Sequence, residues 1–468
     1  MADAPVPAAA PVEIGTPVAL ADGVRVYNHR YLAGGAPWRL LRVSRAAGDV
    51  VARWARGGLV EAGESALART LIDQGLLEAR HARVEVTNEV DVVIATHDED
   101  RLGELLARLA GLSVTVVDDA SRDPARVESM VRVAGARLVR LEKNVGPAAA
   151  RNRGLGATTR PLVWFLDADV DLDDAVGVLE RLARHLADPR VGAVAPRIVG
   201  GSGPGLRERF ERVASPLDLG SRSGLVRPGA LVSYVPAACL LARRDALGEG
   251  FDETLRVGED VDLVWRLGDA GWLVRYDARV SVQHRARETW HDWFAQRVAY
   301  GASAGPLAAR HGRRLAPLRA DVAALVAWGL LLVGRPVAAL AAAARVREDV
   351  AARLEGDGRV ATLLTARALS SGLAASARAL TRSYAPVLVV GALARPTRRR
   401  ALALLALGSW WRWRGRRPRA SDVLVGAADD AAYAVGLWRG AWRERSITAL
   451  APDVRGFDRL VARRLERA

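Results

Sequence analysis

Pro161-Leu162-Val163-Trp164-Phe165-Leu166-Asp167-Ala168-Asp169, residues 161–169, is the stretch on which the reading of this chain turns. A continuous apolar run, too short for a helix, is the pattern of a strand buried on both faces. It ends in two carboxylates at i and i+2, where the chain must turn. In a doubly wound sheet, ligands bind at the C-terminal ends of the strands. An acidic pair there can divide two tasks, one carboxylate toward a ribose and the other toward a hard divalent cation, Mg2+ or Mn2+. Asp-rich turns are also common in solvent, so the pair takes its meaning from what surrounds it.

Working outward, the same texture repeats. Residues 90–96 (VDVVIAT) are an apolar run followed by an amphipathic stretch, DRLGELLARLAGL. VTVVDDAS, a helical stretch through MVRVAG, ARLVRLE, and a helix from about Pro147 to Ala157 then lead to the Asp-Ala-Asp strand. Short apolar strands alternating with helices predict an α/β fold with a parallel sheet covered on both faces. Polar groups fall at successive strand ends: Thr96-His97-Asp98, Asp118-Asp119-Ala120-Ser121 and Asp167-Ala168-Asp169. Further on, Gly258-Glu259-Asp260 opens a helix with an acidic pair, and Val280-Ser281-Val282-Gln283-His284 is an apolar strand ending in histidine. No G-x-G-x-x-G follows the first strand, which disfavours a nicotinamide-dependent dehydrogenase.

Taken in order, VVIAT, VVDDAS, NVGPAAARN, FLDAD, GEDVDLVWR and VQH resemble the inverting family 2 glycosyltransferases of GT-A fold, over roughly residues 89–310. The resemblance implies a UDP-sugar donor held with Mg2+ or Mn2+. By position, Thr96 and Asp98 would face the nucleoside and Asp119 would accept from the uracil ring. Arg151 would lie near the base or phosphate, Asp167 near the ribose, and Asp169 on the metal, with His284 a metal or diphosphate contact. Asp260 would be the catalytic base, with Glu259 the alternative base or a helix cap. An inverting transfer needs such a carboxylate to take the acceptor's hydroxyl proton while the leaving diphosphate is neutralised. The helix N-terminus is expected to keep Asp260 ionised. Two departures stand out: His97 occupies a position where the family carries an aromatic residue, and the Gln-x-x-Arg-Trp signature of processive synthases is missing.

The flanks read differently. Residues 1–16 are Ala/Pro-rich and expected to be disordered. Residues 17–88 pattern as a small α+β unit. Strands lie around Gly34-Gly35, a helix starts near Val43-Ser44, and a last helix, LARTLIDQGLL, has Gly75 as its C-cap. This unit resembles the winged-helix-like, PqqD-type domains that bind precursor peptides of ribosomally made natural products; an ordinary cap on the catalytic domain is the alternative. With a catalytic domain over 89–314, the combined resemblance implies an acceptor that is a peptide-derived redox cofactor or its precursor peptide. The expected reaction transfers a hexose, glucose from UDP-glucose, into a β-linked oligosaccharide. Rival readings are a lipid or cell-envelope acceptor, and a peptide-recruiting scaffold with an inactive GT-A domain.

Charge separates the last third from the rest. Residues 1–300 carry 39 Lys+Arg against 41 Asp+Glu, whereas residues 301–468 carry 29 Arg against 12 acids. Uncharged runs at Val322–Gly334, Pro336–Ala344, Ser383–Ala394 and Ala401–Trp411 punctuate that basic tail, and none reaches the ~20 residues of a spanning helix. Residues 315–468 therefore read as a helical region associated with anionic membrane lipids rather than nucleic acid. A soluble helical domain burying these faces is the alternative. Cys239 is the only cysteine, so neither a disulfide framework nor a thiolate metal cluster is expected. No secretory signal is visible, and the expected location is the cytoplasmic face of the cell membrane, peripheral or multi-pass.

Overall fold

The computed structural model describes residues 11–82, 84–354 and 357–455. Residues 1–10 of the stretch expected to be disordered (1–16), and the last residues of the basic tail, lie outside these; residues 11–16 are instead tied to the fold, with Val12 in the core and the Gly15 amide donating to the Val60 carbonyl at 2.8 Å. The described chain forms two compact units, one ending at Ala286 and the other beginning at Arg287.

The first unit starts with a small α+β layer. Strands β1 (Val18–Leu20) and β5 (Leu77–Ala79) pair antiparallel, and β2 (Arg25–Tyr27), β3 (Tyr31–Gly34) and β4 (Arg39–Arg42) form a meander. Helix α1 (Arg45–Trp54) starts at Ser44, whose hydroxyl accepts from the Ala47 amide at 3.2 Å. Helix α2 (Ser65–Asp73) ends before Gly75, which takes the left-handed conformation (φ +68) that stops it. Apolar side chains from Val12 to Leu77 join one core with the catalytic strands. Ion pairs cross the seam: Arg69 to Asp188 at 2.8 Å, Arg190 to Asp73 at 2.8 Å, and the buried Glu78 to Arg275 at 3.1 Å.

The catalytic sheet is assembled as the apolar runs predict: β6 (Val90–Thr96), α3 (Leu102–Arg108), β7 (Ser113–Asp118), α4 (Pro124–Val133), β8 (Arg137–Arg140), α5 (Pro147–Gly156) and β9 (Leu162–Asp167). These strands lie in the order β8-β7-β6-β9, all parallel. Helix α5 sits hard against the sheet because Gly154 has no side chain; a Cβ there would collide with Val93 Cγ1. Beyond β9 come β10 (Val170–Asp171), α6 (Ala175–Ala183), β11 (Val191–Gly200), α7 (Leu206–Ala214), β12 (Gly224–Leu225), β13 (Cys239–Arg243), α8 (Glu259–Asp269) and β14 (Leu273–His284).

Here the sheet departs from the all-parallel expectation. Strand β13 runs antiparallel between β9 and β11, while β11 and β14 are again parallel. The segment between α7 and β13 contains no helix among its described residues that would carry the chain back across the sheet, so β13 enters it in the opposite sense. The result is a nine-stranded mixed sheet among the described residues.

The second unit is helical: α9 (Trp290–Ala302), α10 (Ala304–His311), α11 (Val322–Leu332), α12 (Pro336–Arg353), α13 (Gly358–Arg382), α14 (Ala385–Leu393), α15 (Arg398–Trp413) and α16 (Ala420–Arg443). Two short strands, β15 (Arg319–Asp321) and β16 (Asp453–Arg455), pair in parallel. Helices α9 and α16 meet at bare backbone, since a Cβ on Gly301, Gly436 or Gly440 would strike the other helix's main chain. Beside that crossing, Arg297, Arg382 and Arg412 surround Asp429 and Asp430. Among the described residues, no helix is long and apolar enough to cross a membrane.

Candidate active site

Two structural devices bring the predicted residues together. One is the topological switch beside β6, where the chain leaves β8 on one side and returns through β9 on the other. The other is the short antiparallel ladder between β10 and β14, which pairs Val170 with His284. That register sets the end of β14 beside the Asp-Ala-Asp turn. His284 Nε2 comes to 3.1 Å from Asp169 Oδ1, and ligand atoms of Asp167, Asp169 and His284 all fall within 4.8 Å of one another.

His284 Nδ1 lies 2.9 Å from the Arg285 carbonyl, a contact that places a proton on Nδ1 and leaves Nε2 facing the two aspartates. Two carboxylates and one imidazole nitrogen are a donor set that suits Mg2+ or Mn2+, and it is closed by backbone already held in the sheet.

At the first two strand ends the side chains organise the loops. Asp119 is buried, and its two carboxylate oxygens accept from the backbone amides of Val145 (2.7 Å) and Gly146 (2.9 Å). This fixes the Asn-Val-Gly turn at the start of α5. Asp98, at φ +56, accepts from the Arg122 amide at 2.7 Å. His97 Nδ1 lies 2.9 Å from the Asp119 carbonyl, so the residue that departs from the family pattern ties one strand end to the next. Thr96 is buried, and its hydroxyl has no hydrogen-bond partner among the described residues.

Sequence reasoning passed over two residues of this wall. Asp118 is fully buried, paired with Arg140, and accepts from the Ser121 amide at 2.9 Å. Ser121 Oγ accepts from the Asp98 amide at 3.0 Å. The signal was present in Asp118-Asp119-Ala120-Ser121, where only Asp119 was singled out.

Arg151 is the centre of the charge arrangement. Buried on α5, it donates through Nη2 to Asp167 Oδ1 at 2.6 Å and through Nη1 to Glu259 Oε1 at 2.7 Å. Burial opposes its charge, but the two carboxylates outweigh burial and hold the guanidinium firmly protonated. Glu259 is therefore engaged by an arginine and caps nothing: α8 begins at Gly258 (φ +89) without a side-chain cap.

The expectation that the helix start keeps Asp260 ionised is corrected. Asp260 is half-exposed yet deep among protein atoms. Burial first and the Glu259 charge second push its carboxyl up to about 7, against the opposing pull of Arg151 and the amides of Val261 and Ala237. A helix dipole contributes about 0.3–1 kcal/mol, less than these terms.

Residues 91–251 match the model of glycosyl transferase family 2. The chain is 38% identical over 448 residues to "Pre-mycofactocin glycosyltransferase" of Mycobacterium tuberculosis, covering 91% of this chain and 94% of that one. The protein belongs to glycosyltransferase family 2, and is an enzyme of sugar transfer with a GT-A-like central sheet. A second relative is the M. tuberculosis "N-acetylglucosaminyl-diphospho-decaprenol L-rhamnosyltransferase", 31% identical over 273 residues, 50% of this chain and 89% of that one. Among solved structures, a Pyrobaculum calidifontis mannosyltransferase in complex with GDP-Man and Mn2+ is similar at TM-score 0.43 and 19% identity, over 76% of this chain and 87% of that one.

Proposed function

We propose that this enzyme transfers a hexose, glucose from UDP-glucose, with inversion onto a peptide-derived redox cofactor in mycofactocin biosynthesis, building a β-linked oligosaccharide. The observation that carries the chemistry is the facing of two acidic groups, Asp167–Asp169–His284 and Glu259–Asp260, joined by one buried arginine. The acceptor rests on likeness to the pre-mycofactocin enzyme across 91% of the chain.

In this reading Thr96, Asp98 and Asp119 line the nucleoside side, the orphaned Thr96 hydroxyl offering an unmet hydrogen bond. Asp169 and His284 would hold Mg2+ or Mn2+, and Asp167, expected toward the ribose, lies near enough to share that ion, which when bound neutralises the diphosphate leaving group. Asp260 takes the acceptor hydroxyl proton; a base whose pKa lies near the working pH is suited to that role. Residues 17–88 recruit the peptide-derived acceptor.

UDP release from a panel of UDP-sugars, with either metal and with or without candidate acceptor, tests the donor and acceptor together. Equal release with and without the peptide-derived acceptor would refute the acceptor. Asp169→Asn should weaken metal-dependent UDP binding by about 10–100-fold in calorimetry, and an unchanged affinity sinks the metal assignment.

One observation favours peripheral attachment to anionic lipid at the cytoplasmic face. Helix α14 buries none of its residues, exposing Val390 (67%) and Leu393 (74%), and leads straight to exposed Arg395, Arg398, Arg399 and Arg400. Co-sedimentation of the full chain with vesicles containing anionic lipid checks this, and protein left in the supernatant at low salt removes it. The same helix keeps a lipid-linked acceptor in play as the second reading.

A further inference from the structure

Two carboxylates stand side by side at the start of α8, and they are held quite differently. Glu259 is 6% exposed, and its Oε1 is taken by Arg151. Asp260 is half-exposed, and one of its oxygens accepts from the Val261 amide at 2.8 Å. Arg151 has little freedom. Its guanidinium lies 5.4 Å from the centre of the Phe251 ring, which meets Phe165 edge-on at 5.1 Å. Its Nε is buried with no hydrogen-bond partner among the described residues, and the two arms of the fork, on Asp167 and Glu259, fix its place.

We propose that Arg151 and Glu259 are positioning residues for the transfer step. Arg151 draws the Glu259 carboxylate away from the acceptor and fixes its charge beside Asp260, so that Asp260 alone is left to take the acceptor proton. This rests on Asp260 being the base.

The Glu259 carboxylate is held against the Arg151 guanidinium by a 2.7 Å hydrogen bond inside the protein, where a charged pair depends on its own partners rather than on water. An adjacent fixed anion then disfavours a second one. The groups facing Asp260 are Glu259 on its own helix, Arg151 from α5, and the amides of Val261 and of Ala237 in the segment before β13. Of these, Glu259 is the one that raises its proton affinity, alongside burial, while the others lower it. Glu259 thus sets the pH at which Asp260 becomes a base without touching the acceptor. The second arm of Arg151 ties this setting to Asp167 on the donor side.

The test is the pH profile of kcat/KM for UDP release, with UDP affinity by calorimetry, on the full chain. Glu259→Gln keeps the shape and removes the charge. Its acidic limb should move down by about one pH unit, with turnover at pH 8 kept within about tenfold. Glu259→Asp keeps the charge, so its limb should stay near 7. It also serves if Glu259→Gln does not fold, since a limb that falls by a unit in Glu259→Asp contradicts the idea. Asp260→Asn separates the two levels. If it loses turnover while the Glu259→Gln limb stays put, the positioning role is wrong and the base assignment stands. If Asp260→Asn transfers sugar at a near-normal rate, the base assignment itself fails.

Discussion

Each unit of the molecule buries a cluster of arginines and carboxylates, and the two clusters are built in opposite proportion. Between the end of β9 and the start of α8 one arginine, Arg151, bonds two carboxylates, Asp167 and Glu259, and opposes a third, Asp260, only through its charge. In the helical unit three arginines, Arg297, Arg382 and Arg412, enclose two carboxylates, Asp429 and Asp430. Burial acts to raise the carboxyl in both places. In the first, too little positive charge opposes it and Asp260 climbs to about 7. In the second, Arg382, Arg412 and Arg297 overcome burial and hold Asp429 below the usual range. The ratio of partners, not depth alone, separates a carboxylate poised to exchange a proton from one locked into the scaffold.

The strongest way to break this contrast is to remove the poised group. Asp260→Asn should lower turnover by about 10²–10⁴-fold with UDP affinity little changed, read by sugar transfer and calorimetry on the same protein. Next in size is the locked group. Asp429→Asn leaves three guanidinium groups short of a counter-charge, and should destabilise the helical unit by about 3–5 kcal/mol in thermal or urea unfolding. Sugar transfer by whatever fraction stays folded should be normal; a loss of donor affinity in that fraction would erase the distinction drawn here.

The mildest probe is pH itself. Below pH 7 the base fills with protons, so kcat/KM should fall by about tenfold per unit. In stability the signs run opposite ways. Asp260, raised on folding, contributes below the ordinary carboxylate pKa and loses that contribution as pH rises through about 7. Asp429, depressed on folding, contributes fully above the ordinary value and loses it only as pH falls through its lower folded value. Between pH 8 and pH 5, then, activity should drop while unfolding of the helical unit stays level, as followed by circular dichroism. Parallel loss of both would merge the two clusters into one class.

How much of this could be read from the sequence differs along the chain. Strands β6, β7 and β9 were legible because each is an apolar run bounded by turn or cap residues, β8 because Leu138-Val139 recurs at the same βα spacing, and α5 because Gly146-Pro147 announces its start. The direction of β13 was not, since Cys239-Leu240-Leu241-Ala242 reads alike in either sense. Asp167, Asp169 and His284 could be named as candidates, but their meeting depends on a two-residue ladder too short to leave a pattern. The tie between Arg151 and Glu259 spans 108 positions, and the one between Arg297 and Asp429 spans 132, so neither has a local signature.

The bare face of Gly154 has a consequence for how such a protein can change over generations. The gap between α5 and the sheet is one methyl group too narrow for alanine, because Val93 Cγ1 already fills it. Arg151 rides on that helix one turn earlier, so the gap also sets how far its fork reaches toward Asp167 and Glu259. A lineage that gains a side chain at residue 154 must trim residue 93 in compensation or surrender the alignment of its charges. Gly154→Ala alone should therefore push α5 off the sheet, and joining it to Val93→Ala should make room again.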